Sequence, residues 1–208
     1  MWSAAESFFA RLAEFGPHIA LAEGERTLTY AELLGAVAAR GRHLRALGVH
    51  RVALALDNGI DWVLWDLAAL HAGLVCVPVP AFFSAEQQRH VLDSAGIDCL
   101  IGNSAPGFAT VEGDIHRRTV TQPATLHPGT CKMTYTSGTT GQPKGVCLDL
   151  KTQLAVAGSL VKASASREVQ RHLCILPLAT LLENIAGVYA PLLAGARVEL
   201  MPMAQIGL

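Results

Sequence analysis

The chain has 208 residues, enough for one large domain or part of one, and 51% of them are hydrophobic against 16% charged. That balance supplies a sizeable core and excludes a disordered chain. Sixteen Lys and Arg against 17 Asp and Glu give a formal net charge of −1, so nothing global draws the chain to nucleic acid or to an anionic membrane surface.

The opening residues, MWSAAESFFARLAEF, carry Glu6, Arg11 and Glu14. They lack the apolar core and small-residue cleavage site of a signal peptide, and a cytoplasmic location is the corresponding expectation. Thr29 and Glu32 form a T-x-x-E capping box. Leu33, Leu34, Val37, Leu44 and Leu47 then recur at helical spacing, with Gly48 as the stop. The basic groups of this helix, Arg40, Arg42, His43 and Arg45, read as its solvated face. Arg51 to Leu56 is a buried-strand run. Asp57 or Asn58 is placed to cap a second helix through Trp62, Leu67 and Leu70, ending near Gly73. Leu74 to Val79 is the next strand. The apolar stretch from Trp62 to Phe83 is interrupted by Asp66, His71, Gly73, Pro78 and Pro80, so it is not a membrane span. Ser84 and Gln87 make a second capping box, and their helix stops at Gly96. Asp98 to Ile101 is strand-like.

From Asn103 to Gly129 the pattern lapses into what reads as a long surface connection, with a short strand expected around Thr119. Strands follow at Thr130 to Thr136 and Val146 to Leu150, then a helix from Gln153 to Ala165. Last come a strand from Leu173 to Leu176, a helix from Leu182 to Leu193 and a strand from Ala196 to Leu200. Strands separated by helix-length segments imply an α/β fold, a mostly parallel sheet covered by helices on both faces. Five cysteines, Cys76, Cys99, Cys131, Cys147 and Cys174, lie far apart in apolar runs without a CxxC. They read as buried reduced thiols, and their scatter argues against a cysteine-built zinc site.

The chemistry is concentrated in Tyr135 to Val146, Y-T-S-G-T-T-G-Q-P-K-G-V. Its glycines bring backbone N–H groups close to an anion, its hydroxyls add donors or a ligand for a hard cation, and Lys144 is a compact positive charge. The set suits a polyphosphate. It is not a Walker A loop, because Pro143 precedes Lys144 and Gly145 follows it, and there is no GxGxxG. On composition alone the segment also suits a surface hairpin rich in small residues.

The order of residues goes further. Y-T-S-G-T-T-G-Q-P-K-G-V resembles the phosphate-loop signature of the acyl-activating, adenylate-forming superfamily, which includes acyl-CoA synthetases, adenylation domains of peptide synthetases and luciferases. Leu28 to Leu33 (L-T-Y-A-E-L), Leu70 to Val79 (L-H-A-G-L-V-C-V-P-V) and Leu176 to Glu183 (L-P-L-A-T-L-L-E) resemble further family segments in the right order. His71 stands where lysine is common, and Thr180 where fatty-acyl members carry histidine.

The resemblance implies ATP and Mg2+ as reaction partners, a small carboxylic acid as substrate, and CoA or a carrier-protein pantetheine as acceptor. It implies that Thr136, Ser137, Gly138, Thr139, Thr140, Gly141 and Lys144 bind the ATP phosphates, with Thr136 a contact for Mg2+. Thr180 and Glu183 become candidates for the acyl and nucleotide pocket. The family's later motifs, for the ribose, the hinge and the catalytic lysine of a C-terminal domain, are not found. Residues 1–208 are therefore expected to be the first part of an N-terminal AMP-binding domain, of fatty-acyl type, inactive alone and prone to self-association through an uncovered edge. A non-catalytic scaffold that kept the fold and an unrelated phosphate-binding α/β domain are the alternatives.

Overall fold

The computed structural model describes residues 3–122, 124–136, 142–164 and 169–206. The expected α/β class holds, but the one expected sheet is two. A seven-stranded sheet runs in the order β6-β7-β5-β3-β4-β8-β9, and a four-stranded sheet in the order β10-β11-β1-β2. In the larger sheet β3 (Arg51–Ala55), β4 (Val75–Pro78), β5 (Cys99–Gly102) and β8 (Thr130–Thr136) are parallel neighbours. Its edges are antiparallel. β6 (Ala109–Glu112) and β7 (Ile115–Arg117) close one side, and β9 (Lys144–Asp149) closes the other. The long connection thus contains two strands, neither at Thr119, and they extend the sheet beyond β5. The smaller sheet pairs β1 (Ile19–Glu23) with β2 (Arg26–Thr29) antiparallel and with β11 (Arg197–Glu199) parallel. β10 (Arg171–Leu173) lies beyond β11.

Strand parity divides the core of the larger sheet in two. Val52, Leu54, Cys76, Cys99 and Ile101 face the main core, with Leu33, Val37 and Leu44 of α2 (Tyr30–Ala46) and Trp62, Val63 and Leu67 of α3 (Ile60–Ala72). Ala53, Val77 and Leu100 face the other way, onto Val91 and Leu92 of α4 (Ala85–Ser94) and onto Met133 and Tyr135.

Both expected capping boxes form. Thr29 and Ser84 accept from the backbone N–H of Glu32 and Gln87, whose side chains bond back. A third, Ser3 with Glu6, opens α1 (Ala4–Ala13). The cap of α3 differs from expectation. Its N-cap is Gly59 with no side-chain cap, and Glu23 of β1 supplies the acceptor, taking the Ile60 N–H at 2.8 Å. The basic face of α2 is less free than its sequence suggests. Arg40 pairs with Asp61 and lies over the Trp65 ring, and Arg45 donates to the last carbonyls of α3.

After β9 comes α5 (Leu150–Ala163), opened by the Asp149 side chain. The predicted helix from Leu182 begins as a π-helical segment, Glu183–Tyr189, and continues as α6 (Ala190–Ala194). Pro191 has no N–H for the carbonyl of Gly187 four residues back, which helps to explain the departure from α geometry. The Cys174 thiol donates to that carbonyl at 3.3 Å. A short α7 (Met203–Ile206) follows β11.

Candidate functional site

β8 and β9 form an antiparallel hairpin whose last pairs are Thr134–Val146, Tyr135–Gly145 and Thr136–Lys144. Ser137, Gly138, Thr139, Thr140 and Gly141 lie outside the described residues. The two flanking residues are placed: Thr136 and Lys144 are both exposed and directly opposite each other. A hydroxyl and an ammonium thus meet at the mouth of the hairpin. That donor set fits a polyphosphate with its magnesium ion, the hydroxyl for the hard cation and the ammonium for anionic oxygens.

The rest of the motif builds the platform. A Cβ on Gly145 would fall 2.6 Å from Met133 Cε and 3.0 Å from Tyr135 Cζ, so glycine lets both side chains pack closely across the strand pair. Ser94 of α4 donates to the His90 carbonyl at 2.6 Å, which leaves the Tyr135 hydroxyl to donate to Ser94 Oγ at 2.8 Å. Burial pushes that phenol above its ordinary pKa, in keeping with a donor role. The His90 ring meets Tyr135 edge-on, and its Nε2–H donates to the Pro143 carbonyl at 3.0 Å. Two residues flanking the loop, Tyr135 and Pro143, are thereby tied to one helix.

Thr180 and Glu183 are placed differently from each other. Thr180 is partly exposed, and its hydroxyl donates to the Pro177 carbonyl at 2.8 Å, closing a turn. Glu183 is buried, and Oε1 accepts the Ile175 N–H at 3.0 Å. Its carboxylate therefore serves the interior of the fold. Asn58 holds this segment against the end of β3. Its Oδ1 accepts from Leu178 N at 2.8 Å, and its Nδ2 donates to the Leu176 carbonyl at 2.8 Å.

A buried polar cluster links the segment to β8. Lys132 Nζ lies 2.7 Å from Asp66 Oδ1 and 2.9 Å from Oδ2, and it also donates to Asn184 Oδ1 and to the Tyr189 hydroxyl. Tyr189 and Asn184 donate in turn to Asp66 Oδ2, at 3.0 and 3.2 Å. Lys132 and Asp66 are only 3% and 1% exposed at their side chains, so the charges depend on one another. Burial, then Asp66, drives the Tyr189 hydroxyl and the Cys76 thiol well above their ordinary pKa values. Sequence reasoning did not single out this cluster. Its signal was the single lysine of β8 and an aspartate in the middle of the apolar helix α3.

The scaffold is an α/β one that places a threonine and a lysine opposite each other on a hairpin at the edge of its larger sheet. The family model described as AMP-binding enzyme matches residues 8–206, and the chain belongs to that family. It is 26% identical to a CoA ligase of Gibberella moniliformis, over 93% of this chain and 38% of that protein. It is 32% identical to the phosphinothricin tripeptide synthetase PhsC of Streptomyces viridochromogenes, over 62% of this chain and 14% of that protein. The N-terminal subdomain of Klebsiella oxytoca NpsA, solved in complex with 3-hydroxybenzoyl-AMSN, superposes with a TM-score of 0.78 at 24% identity, over 97% of this chain and 54% of that one. The chain therefore spans about two-fifths of the CoA ligase and half of the NpsA subdomain. Among the described residues no helix is long and apolar enough to cross a membrane.

Proposed function

We propose that this chain supplies the ATP-phosphate site of a ligase that activates a carboxylic acid as its acyl-adenylate, for transfer to CoA or a carrier-protein pantetheine. The pairing of Thr136 with Lys144 at the mouth of the hairpin is the observation that carries this reading. Lys144 would offset charge on the ATP phosphates, the Thr136 hydroxyl would contact Mg2+, and Ser137, Gly138, Thr139, Thr140 and Gly141 would line the phosphates between them. Catalysis at phosphorus rests on positioning and charge stabilisation, so the loss of one such contact costs on the order of 2–4 kcal/mol. In the whole ligase Lys144→Ala is expected to slow acid-dependent pyrophosphate exchange by about 30- to 1,000-fold while leaving the fold intact. Lys144→Arg is expected to be impaired as well, because a planar fork does not replace a compact ammonium. Exchange at the unsubstituted rate in both variants rules the role out. The 208-residue chain alone is expected to release no pyrophosphate with any acid.

The acid is read as one without an ammonium group. Leu176 to Gly187 is apolar apart from Thr180, Glu183 and Asn184. Glu183 is engaged by the Ile175 N–H and Asn184 by Lys132 and Asp66. No carboxylate of that segment is left to pair with a substrate ammonium, whose unpaired burial would be costly. The narrower expectation of a fatty acid gains no support from the CoA ligase, peptide synthetase and NpsA likenesses. Exchange driven by amino acids, and not by acids with uncharged tails, overturns the reading.

A further inference from the structure

We propose that His172, Cys174 and Glu183 form a binding site for a divalent transition-metal ion of the zinc type, apart from the phosphate hairpin. β10 runs Arg171–Leu173, and the alternation of its side chains continues into Cys174. Arg171, Leu173 and Ile175 are exposed, whereas His172 and Cys174 point inward. They meet Glu183 at the start of the π-helical segment. The three donor atoms, an imidazole nitrogen, a thiol sulfur and a carboxylate oxygen, all lie within 4.8 Å of one another. No other three His, Cys, Asp or Glu side chains among the described residues converge in this way. A tetrahedral zinc ion needs its ligands about 3.4–3.6 Å apart, so a small contraction closes the set.

Three further observations point at a ligand. His172 Nε2 is shut off from solvent and has no hydrogen-bond partner, an arrangement that native interiors avoid. Gly187 makes the room: a Cβ there would come within 2.9 Å of the Glu183 carboxyl and 3.0 Å of Cys174 Sγ. The Ile175 N–H already orients the Glu183 carboxylate from outside, as partners of metal ligands commonly do. The mixed nitrogen, sulfur and oxygen set favours zinc over magnesium or calcium, which take oxygen ligands. A cavity of about 260 Å3 lies beside His172, lined by Leu160, Ala186, Ala190 and Pro191.

In the metal-free protein the Cys174 thiol keeps its proton on the Gly187 carbonyl. Binding exchanges that proton for the ion, Cys174–SH plus M2+ giving Cys174–S–M+ and a proton released to water, so affinity rises with pH.

The test is a Co2+ titration of the purified, chelator-treated chain, followed by absorbance. The expected result is one equivalent of Co2+ with a near-ultraviolet sulfur-to-cobalt band that Zn2+ abolishes. Cys174→Ser is expected to lose the band, and His172→Ala and Glu183→Gln to weaken binding about tenfold or more. Circular dichroism checks that each variant is folded. Should Cys174→Ser fail to fold, His172→Ala carries the same readout at a side chain that is only partly buried. Cys147→Ser, at the hairpin, is expected to bind as the unsubstituted chain does. Absence of Co2+ uptake, uptake without a thiolate band, or uptake unchanged in all of the folded site variants overturns the proposal.

Discussion

At the scale of single residues, the most consequential charge is Lys132. Removing one partner from a buried ion pair strands the other in low dielectric, at a cost of about 3–5 kcal/mol, whereas replacing both by apolar residues is often neutral. Lys132→Met is therefore expected to lower the urea midpoint sharply, and the double variant Lys132→Met with Asp66→Leu to recover most of the loss. Equal destabilisation in both would assign the cost to packing instead. Asp61 gives a pH signature. The Arg26 guanidinium, 2.8 Å away, and then Arg40 hold its carboxyl below the ordinary value despite some burial. A depressed folded-state pKa adds stability above the unfolded pKa of about 3.9. That stability is lost as the pH falls through the folded value. Asp61→Asn is expected to flatten the acid limb of the stability curve, and an unchanged limb would contradict the pairing. Among the thiols, burial raises Cys99 to about 12 and also pushes Cys76 and Cys174 well up, so these three are expected to resist alkylation until the chain unfolds. The Thr136 and Lys144 pair was legible in the sequence because its motif is contiguous. The Lys132 cluster was not, because its partners lie 66, 52 and 57 residues away and no local pattern encodes them.

At the scale of elements, the starts of α2 and α4 and the glycine stops after α2, α3 and α4 were legible, whereas the cap of α3 and the partners of the terminal carbonyls were not. A capping box is complete within four residues, so Thr29–Glu32 and Ser84–Gln87 could be read directly. The C-termini are satisfied from a distance, by arginines. Arg118 donates to the Leu92 carbonyl in the last turn of α4 and to the Ile97 carbonyl beyond it, Arg117 to Leu47 and Gly48 after α2, and Arg51 to Ala95. Each cation also lies where the helix dipole is negative. Arg118 makes a further bond to Asp93 and lies over the Phe108 ring. Arg118→Ala is expected to cost about 1–3 kcal/mol in thermal unfolding. Arg118→Lys should recover only part, since one ammonium cannot span both carbonyls and the carboxylate. The strands β2, β6 and β7 escaped sequence reading because they are short and mostly polar, unlike the apolar runs of β3, β4 and β5. The π-helical start of the last helix was hidden for another reason, since Pro191 acts on the turn before it.

At the scale of the whole molecule, strands alternating with helices revealed the class, but not that β10, β11, β1 and β2 leave the main sheet to form their own. Which strand pairs with which is a long-range matter that the pattern of a single strand does not contain. β10 is an edge of that smaller sheet, and Leu173 and Ile175 are about half exposed on its outer side. Exposed edges with apolar side chains favour pairing between copies. Light scattering is expected to show a concentration-dependent dimer that Ile175→Lys suppresses, and a monomer at every concentration would refute this. The smaller sheet also imposes an order on biosynthesis. Leu21 pairs with Val198, and the Tyr30 hydroxyl bonds the Ala196 carbonyl across 166 residues. As the chain leaves the ribosome, β1 and β2 must wait as an isolated ribbon, marginal in water, until Arg197–Glu199 has emerged. The larger sheet, complete at Asp149, has no such delay. In a chain halted at Gly195, amide exchange is expected to be fast through Ile19–Glu23 and slow through Arg51–Ala55, so that β1, made before the strands of the larger sheet, becomes native after them.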